Sequence, residues 1–145
     1  MTSASSLAAV VHDVEPRLAA HGFWFLPDQN GASSGGPFSS GYFVRGPLRI
    51  GLIVRDTALG LPVYECGGNN AGHHDVVRLL GREADARLQR DPDTHRVFGR
   101  DGADVTGAFL ADLENIILPA LADSSEAFSG VIAEAHSART RELGL

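Results

Sequence analysis

With 145 residues, 43% of them hydrophobic and 21% charged, the chain has the length for one domain around one core and the composition of a folded protein, not a disordered one. Its formal net charge is −6, and all 12 of its basic residues are arginine. That acidic balance, with no basic block, argues against nucleic acid as a partner, because phosphate binding needs cations to displace condensed counterions.

Leu7, Val10, Val11, Val14 and Leu18 recur at helical spacing, so an amphipathic helix is expected over residues 5–21, capped by Ser3, Ser5 or Ser6. Pro16 should kink it or restart it, and Gly22 should end it. The N-terminus meets Asp13 and Glu15 too early for a signal peptide. No apolar run approaches the roughly 20 residues that span a bilayer, so no membrane association is expected. The lone cysteine, Cys66, permits no internal disulfide, and a reducing, cytoplasmic setting fits it.

Phe23 to Leu26 reads as a short buried strand stopped by Pro27, and residues 27–37, PDQNGASSGGP, as a flexible loop. The clearest stretch is Gly41–Asp56, GYFVRGPLRIGLIVRD. Leu48, Ile50, Leu52 and Val54 fall on one face at period two, and Arg49, Gly51, Ile53 and Arg55 on the other. With Gly46-Pro47 as a two-residue turn, Phe43 faces Ile50, Val44 faces Arg49, and Tyr42 covers the bare backbone of Gly51. Leu61 to Cys66 supplies a fourth strand, and connections this short admit only an antiparallel meander.

Past Gly67-Gly68 the period becomes helical. Val76, Val77, Leu79 and Leu80 predict a short helix closed by Gly81, with another weak turn of helix over residues 83–89. Residues 91–104 are polar and turn-rich. Val105, Phe109, Leu113, Ile116, Ile117 and Leu121 then share a helix face, with Asp104 or Thr106 as cap and Pro119 bending the last turn. Asp123-Ser124-Ser125-Glu126 resembles a capping box ahead of a final helix carrying Phe128, Val131, Ile132 and Ala135. A helix, four strands and then helices define a single α+β domain, with C-terminal helices packed on the sheet.

Reactive side chains concentrate in Tyr64–Asp75, YECGGNNAGHHD. Gly67 and Gly72 have phosphate-loop spacing, but His73 and His74 stand where lysine and a hydroxyl are required, so no nucleotide cofactor is expected. Glu65, His73, His74 and His95 lack the spacings that aim two imidazoles at one metal, and no metal is expected. Cys66 at a strand end, with His73 or His74 as base and Asp75 as orienter, has the parts of a thiol nucleophile for hydrolysis or group transfer. Alternatively, Cys66 is a small hydrophobe and the histidines simply open a helix. On the hairpin, Arg45, Arg49 and Arg55 with Tyr42 are residue types favoured at interface anchors. Together with Glu65 and His73 they make the expected binding set. The acidic side chains Asp91, Asp93, Asp101, Asp104 and Asp112 offer a surface for a basic partner. An exposed sheet edge leaves a homodimer open.

The helix ending in Gly-Phe, then YFVRG, LRIGLIVRD, LGLPVYE, the GHHD helix start and DLENIILPAL resemble small uncharacterised bacterial α+β proteins of the polymorphic-toxin immunity type, over about residues 20–122. The resemblance carries no catalytic signature and transfers no functional residue. It implies a non-enzymatic cytoplasmic protein that acts by binding another protein, a toxin in the immunity case.

Overall fold

The computed structural model describes residues 2–34 and 36–144. Helix α1 runs Ser3–Ala19, continues through Pro16, and buries Leu7, Val10, Val14 and Leu18. Its cap is Thr2 and none of the three serines proposed for that role. The Thr2 side chain accepts from the Ser5 amide while Ser5 answers the Thr2 amide, a reciprocal capping box.

Six strands then form one antiparallel sheet among the described residues: β1 (Trp24–Ser33), β2 (Gly36–Arg45), β3 (Leu48–Arg55), β4 (Ala58–Leu59), β5 (Val63–Cys66) and β6 (Asn69–Gly72). They lie in the order β1-β2-β3-β5-β6, with β4 paired to the end of β3. The expected meander is present, lengthened by two short strands. Its central hairpin has the expected register: Tyr42 opposite Gly51, Phe43 opposite Ile50, Val44 opposite Arg49 and Arg45 opposite Leu48. Gly46 takes φ +56° at the turn, as a glycine-first hairpin loop requires.

Two expectations are corrected here. Within the stretch 27–37, residues 27–33 and 36–37 form the outer arms of a hairpin and not a flexible loop, and residue 35 lies outside the described residues. After an irregularity between Pro27 and Asn30 the pairing resumes with Asn30 opposite Ser39 and Gly31 opposite Phe38, and the Ser39 hydroxyl donates to the Asn30 side chain. Gly67-Gly68, with φ +58° and +84°, closes a further tight hairpin between β5 and β6 before the next helix begins.

Helix α2 is short, His73–Leu79, and Gly81 follows it at φ +73°. Residues 83–89 do not form a helix. They turn into β7 (Leu88–Arg90), which pairs with β8 (Val97–Gly99) in a separate two-stranded sheet. Helix α3 (Val105–Asp112) is capped by Asp104 and passes through a widened π turn, Leu113–Ile117, into α4 (Leu118–Asp123). The π turn falls just before Pro119, whose missing N–H and bulky ring fit poorly in an α-helical interior. By length and composition this helical stretch is apolar enough to cross a membrane. Here Phe109, Leu113, Ile116, Ile117 and Leu121 are buried in the core instead. Ser124 caps α5 (Ser125–Glu142).

All the long helices lie on one side of the sheet. Helix α1 packs on β1, β2 and β3, and α5 packs on β5 and β6. Phe43, Ile50, Leu52, Val54 and Tyr64 point to them and are fully buried or nearly so. Among the described residues no helix lies on the opposite side of the sheet.

Candidate binding surface and the buried triad behind it

Strand alternation sends a defined set of side chains to the helix-free side. One cross-strand row reads Trp24, Val44, Arg49, Glu65; the next reads Leu26, Tyr42, Gly51, Val63; beyond them lie Ile53, Phe38 and Arg55. Trp24 is 55% exposed, Leu26 39% and Val63 37%, three of the large apolar side chains most open to solvent. An antiparallel sheet commonly turns one face to water, but that face is ordinarily polar. Here aromatic and aliphatic residues run across four strands.

Tyr42 is the centre of the face. Its ring lies over Gly51, where an added Cβ would meet Tyr42 Cε1 at 3.2 Å. The Arg49 guanidinium sits over the other part of the arrangement, 3.8 Å from the Tyr42 ring centroid. Burial, followed by the negative charges of Glu65 and Asp28, pushes the Tyr42 pKa up against the opposing pull of Arg49. The missing side chain at Gly51 also leaves a depression of about 270 Å³ between Tyr42, Ile53, Leu61, Val63 and Glu65. A socket of this kind, apolar with one carboxylate at its lip, suits a single anchoring side chain from a partner.

The other members of the expected binding set part company. Arg55 stays on this side, its guanidinium 5.8 Å from the Phe38 ring and donating to Ser33 Oγ at 3.3 Å. Arg45 turns the other way, towards the helices. It stacks over Phe23 at 5.0 Å and donates to the His21 carbonyl and Ser125 Oγ, tying the hairpin end to α1 and α5. His73 leaves the surface altogether, at 0% exposure, so no partner can touch it.

Where His73 goes is the least expected feature of the molecule. Its Nε2 lies 2.8 Å from Asp112 Oδ2 and its Nδ1 2.8 Å from the Tyr64 hydroxyl. Asp112, 1% exposed, also accepts the backbone N–H of Arg87 at 2.6 Å and of Leu88 at 3.0 Å. The arrangement that leaves no atom unpartnered places the proton on Nε2, donating to Asp112, while Tyr64 O–H donates to Nδ1. Burial, with the Asp112 charge added, holds the Tyr64 pKa well above its ordinary value. Phe109 and Phe128 close round the rings. The triad therefore joins β5, α2, the end of α3 and the start of β7 into one unit. Asp112, expected among the surface acids, is corrected to a core residue that anchors the small second sheet.

This geometry does not assemble the Cys66 nucleophile. Cys66 pairs with Asn69 at the turn of the β5–β6 hairpin, whereas Gly72, just before His73, pairs with Val63 three residues along. The thiol and the imidazoles thus start about 10 Å apart along the strand. Cys66 Sγ instead lies 3.4 Å from Ser129 Oγ on α5, and both nitrogens of His73 are engaged elsewhere. His74 points away from His73, with Nε2 3.5 Å from Asp75 Oδ1. Among the described residues no group of three or more His, Cys, Asp or Glu is placed to hold a metal ion.

Reasoning from sequence missed Asp112 and Tyr64. A signal for Asp112 was present, since Ala108, Phe109, Asp112, Leu113, Ile116 and Ile117 form one helical stripe in which a carboxylate is the odd member. Compared with known protein families, with curated proteins and with solved structures, the chain matches none.

Proposed function

We propose that this chain is a non-enzymatic, immunity-like binding protein of the cytoplasm that docks a partner protein, a toxin in the immunity case, on the helix-free face of its sheet. One observation carries the reading: Trp24 and Leu26 on β1, Tyr42 on β2 and Val63 on β5 form an apolar patch across the sheet, on the side that no helix among the described residues covers. Arg49 stacked on Tyr42, beside the depression over Gly51, supplies an anchor of the kind that dominates interface energetics. The resemblance to immunity-type proteins supports the same reading, and the chain's net charge of −6 favours a basic partner whose association slows as salt rises.

The test is an affinity capture from the native host, run in parallel with wild-type protein and with a Trp24→Ser/Arg49→Glu variant. The expected result is a stoichiometric partner that the wild type retains and the variant loses. A partner held equally by both, or none held by either, overturns the reading.

A further inference from the structure

On the opposite side of the molecule, α2, the segment 83–92 and the end of α5 enclose a cleft of about 630 Å³. That is within the range of small-molecule sites, roughly 300–1,000 Å³. Its floor is apolar and formed by the buried side chains of Val77, Ala86 and Leu88. Its wall is charged. Arg78 comes from α2, Arg90 from β7 and Arg139 from α5, three separate elements converging on the cleft that His74 also lines.

The charges are equal in number, three arginines against Asp75, Glu83 and Glu142, but they are unevenly paired. Asp75, half-buried in the same wall, is taken by Arg78 at 3.0 Å and lies 3.5 Å from His74. The guanidiniums of Arg90 and Arg139 have no hydrogen-bond or ion-pair partner among the described residues. Glu83 and Glu142 stand exposed at the rim, as do Arg78 and Arg139, and neither of the two acids is paired with Arg90 or Arg139. Arg90, half-buried, and Arg139, exposed at the mouth, are therefore the two cations of the cleft whose donors remain open to an anionic ligand.

We infer that this cleft binds a small organic anion, its phosphate or carboxylate held by Arg90 and Arg139 beside His74 and its apolar body resting on Val77, Ala86 and Leu88. Guanidinium pairs recognise both head groups through the same forked donors, so the chemistry is shared between the two. The surroundings of His74 agree with this. Burial first, then the charges of Arg90, Arg78 and Arg139, hold its pKa below the ordinary value although Asp75 opposes them. A bound anion cancels part of that field, and His74 should then titrate at higher pH.

The test follows the histidine rings of the intact chain by NMR during titration with phenyl phosphate, with benzoate, and with inorganic phosphate at matched ionic strength. The expected result is a saturable rise in the His74 midpoint with at least one organic probe, while His12, His21 and His95 stay in place. Inorganic phosphate should act more weakly. Arg90→Gln and Arg139→Gln should each weaken binding about tenfold, and Arg141→Gln, on the same helix, should not. Failure of both organic probes to move His74, a response to inorganic phosphate as strong as to phenyl phosphate, or an unchanged response in Arg90→Gln overturns the assignment. Because the cleft and the sheet face are on different sides, neither result depends on the partner surface.

Discussion

Arg49 lies with its guanidinium 3.8 Å from the centre of the Tyr42 ring, and Tyr42 in turn covers the backbone of Gly51 on the neighbouring strand. Three residues that alternate outward on two strands thereby build one raised aromatic anchor next to one depression. Cation–π contact of this kind contributes about 0.5–1 kcal/mol where water still reaches it. The pair is thus a modest contributor to folding, and its larger effect is to preorganise Tyr42 for a partner.

Glycines on the two faces should respond differently. At Gly41 an added Cβ would come within 2.3 Å of Phe25 Cζ on the helix side, whereas at Gly51 it would meet Tyr42 at 3.2 Å on the open side. Gly41→Ala should cost about 1–3 kcal/mol, the range for overpacking a core. Gly51→Ala should cost less, because Tyr42 can give way into solvent, and should displace its ring. Urea unfolding of both variants checks the order, and the NMR signals of the Tyr42 ring report its displacement.

The buried triad predicts a large penalty for removing one member. Asp112→Ala strands the His73 Nε2–H and two backbone N–H groups, so its cost should be about 3–5 kcal/mol in equilibrium unfolding. Tyr64→Phe removes only the donor to His73 Nδ1 and should cost about 1–3 kcal/mol. If Asp112→Ala unfolds at the wild-type denaturant concentration, the triad is not what joins the second sheet to the core.

His74 makes a prediction about acid. Its pKa is lowered in the folded chain, so the folded state binds fewer protons at this site than the unfolded state does. The residue has no effect on stability well above its ordinary value of 6.5. As the pH falls below that value the unfolded chain takes up the proton first, and stability declines until the folded-state midpoint is passed. His74→Gln should flatten this part of the stability profile below pH 6.5 while leaving the neutral plateau in place.

Cys66 should behave as an ordinary packed thiol. Its contact is Ser129, and among the described residues no imidazole is hydrogen-bonded to it. Its labelling rate with a mild electrophile should be the same in wild type and in His74→Gln. Acceleration by His74 would revive a thiol-based chemistry.

Much of the scaffold was legible because its cues are local. Period-two alternation around Gly46-Pro47 specifies the β2–β3 register, and a one-residue slip would have turned Ile50 and Leu52 to solvent. The same locality hid the outer arms of the first hairpin. Residues 27–37 have the glycine and serine content of a loop, and only pairing across the hairpin, as with Asn30 opposite Ser39, makes strands of residues 27–33 and 36–37. The three-residue strands β7 and β8 have still less intrinsic preference, and the first is held by a carboxylate from α3. For the candidate surface, Tyr42, Arg49 and Glu65 were readable from alternation, since neighbours on a face recur every second residue. Trp24 was not, because a four-residue apolar run gives no indication of which side faces water. The triad joins residues 9 and 39 positions apart, and no sequence period connects them.

The central claim is that the open sheet face carries the partner. A photoreactive phenylalanine analogue placed at Trp24 or Val63, and as a control at Ser137 on the exposed side of α5, tests it inside the native host. The account predicts one discrete cross-linked species from both face positions, lost in Arg49→Glu and absent from Ser137. A species formed equally at Ser137, or none at Trp24 and Val63, would contradict it.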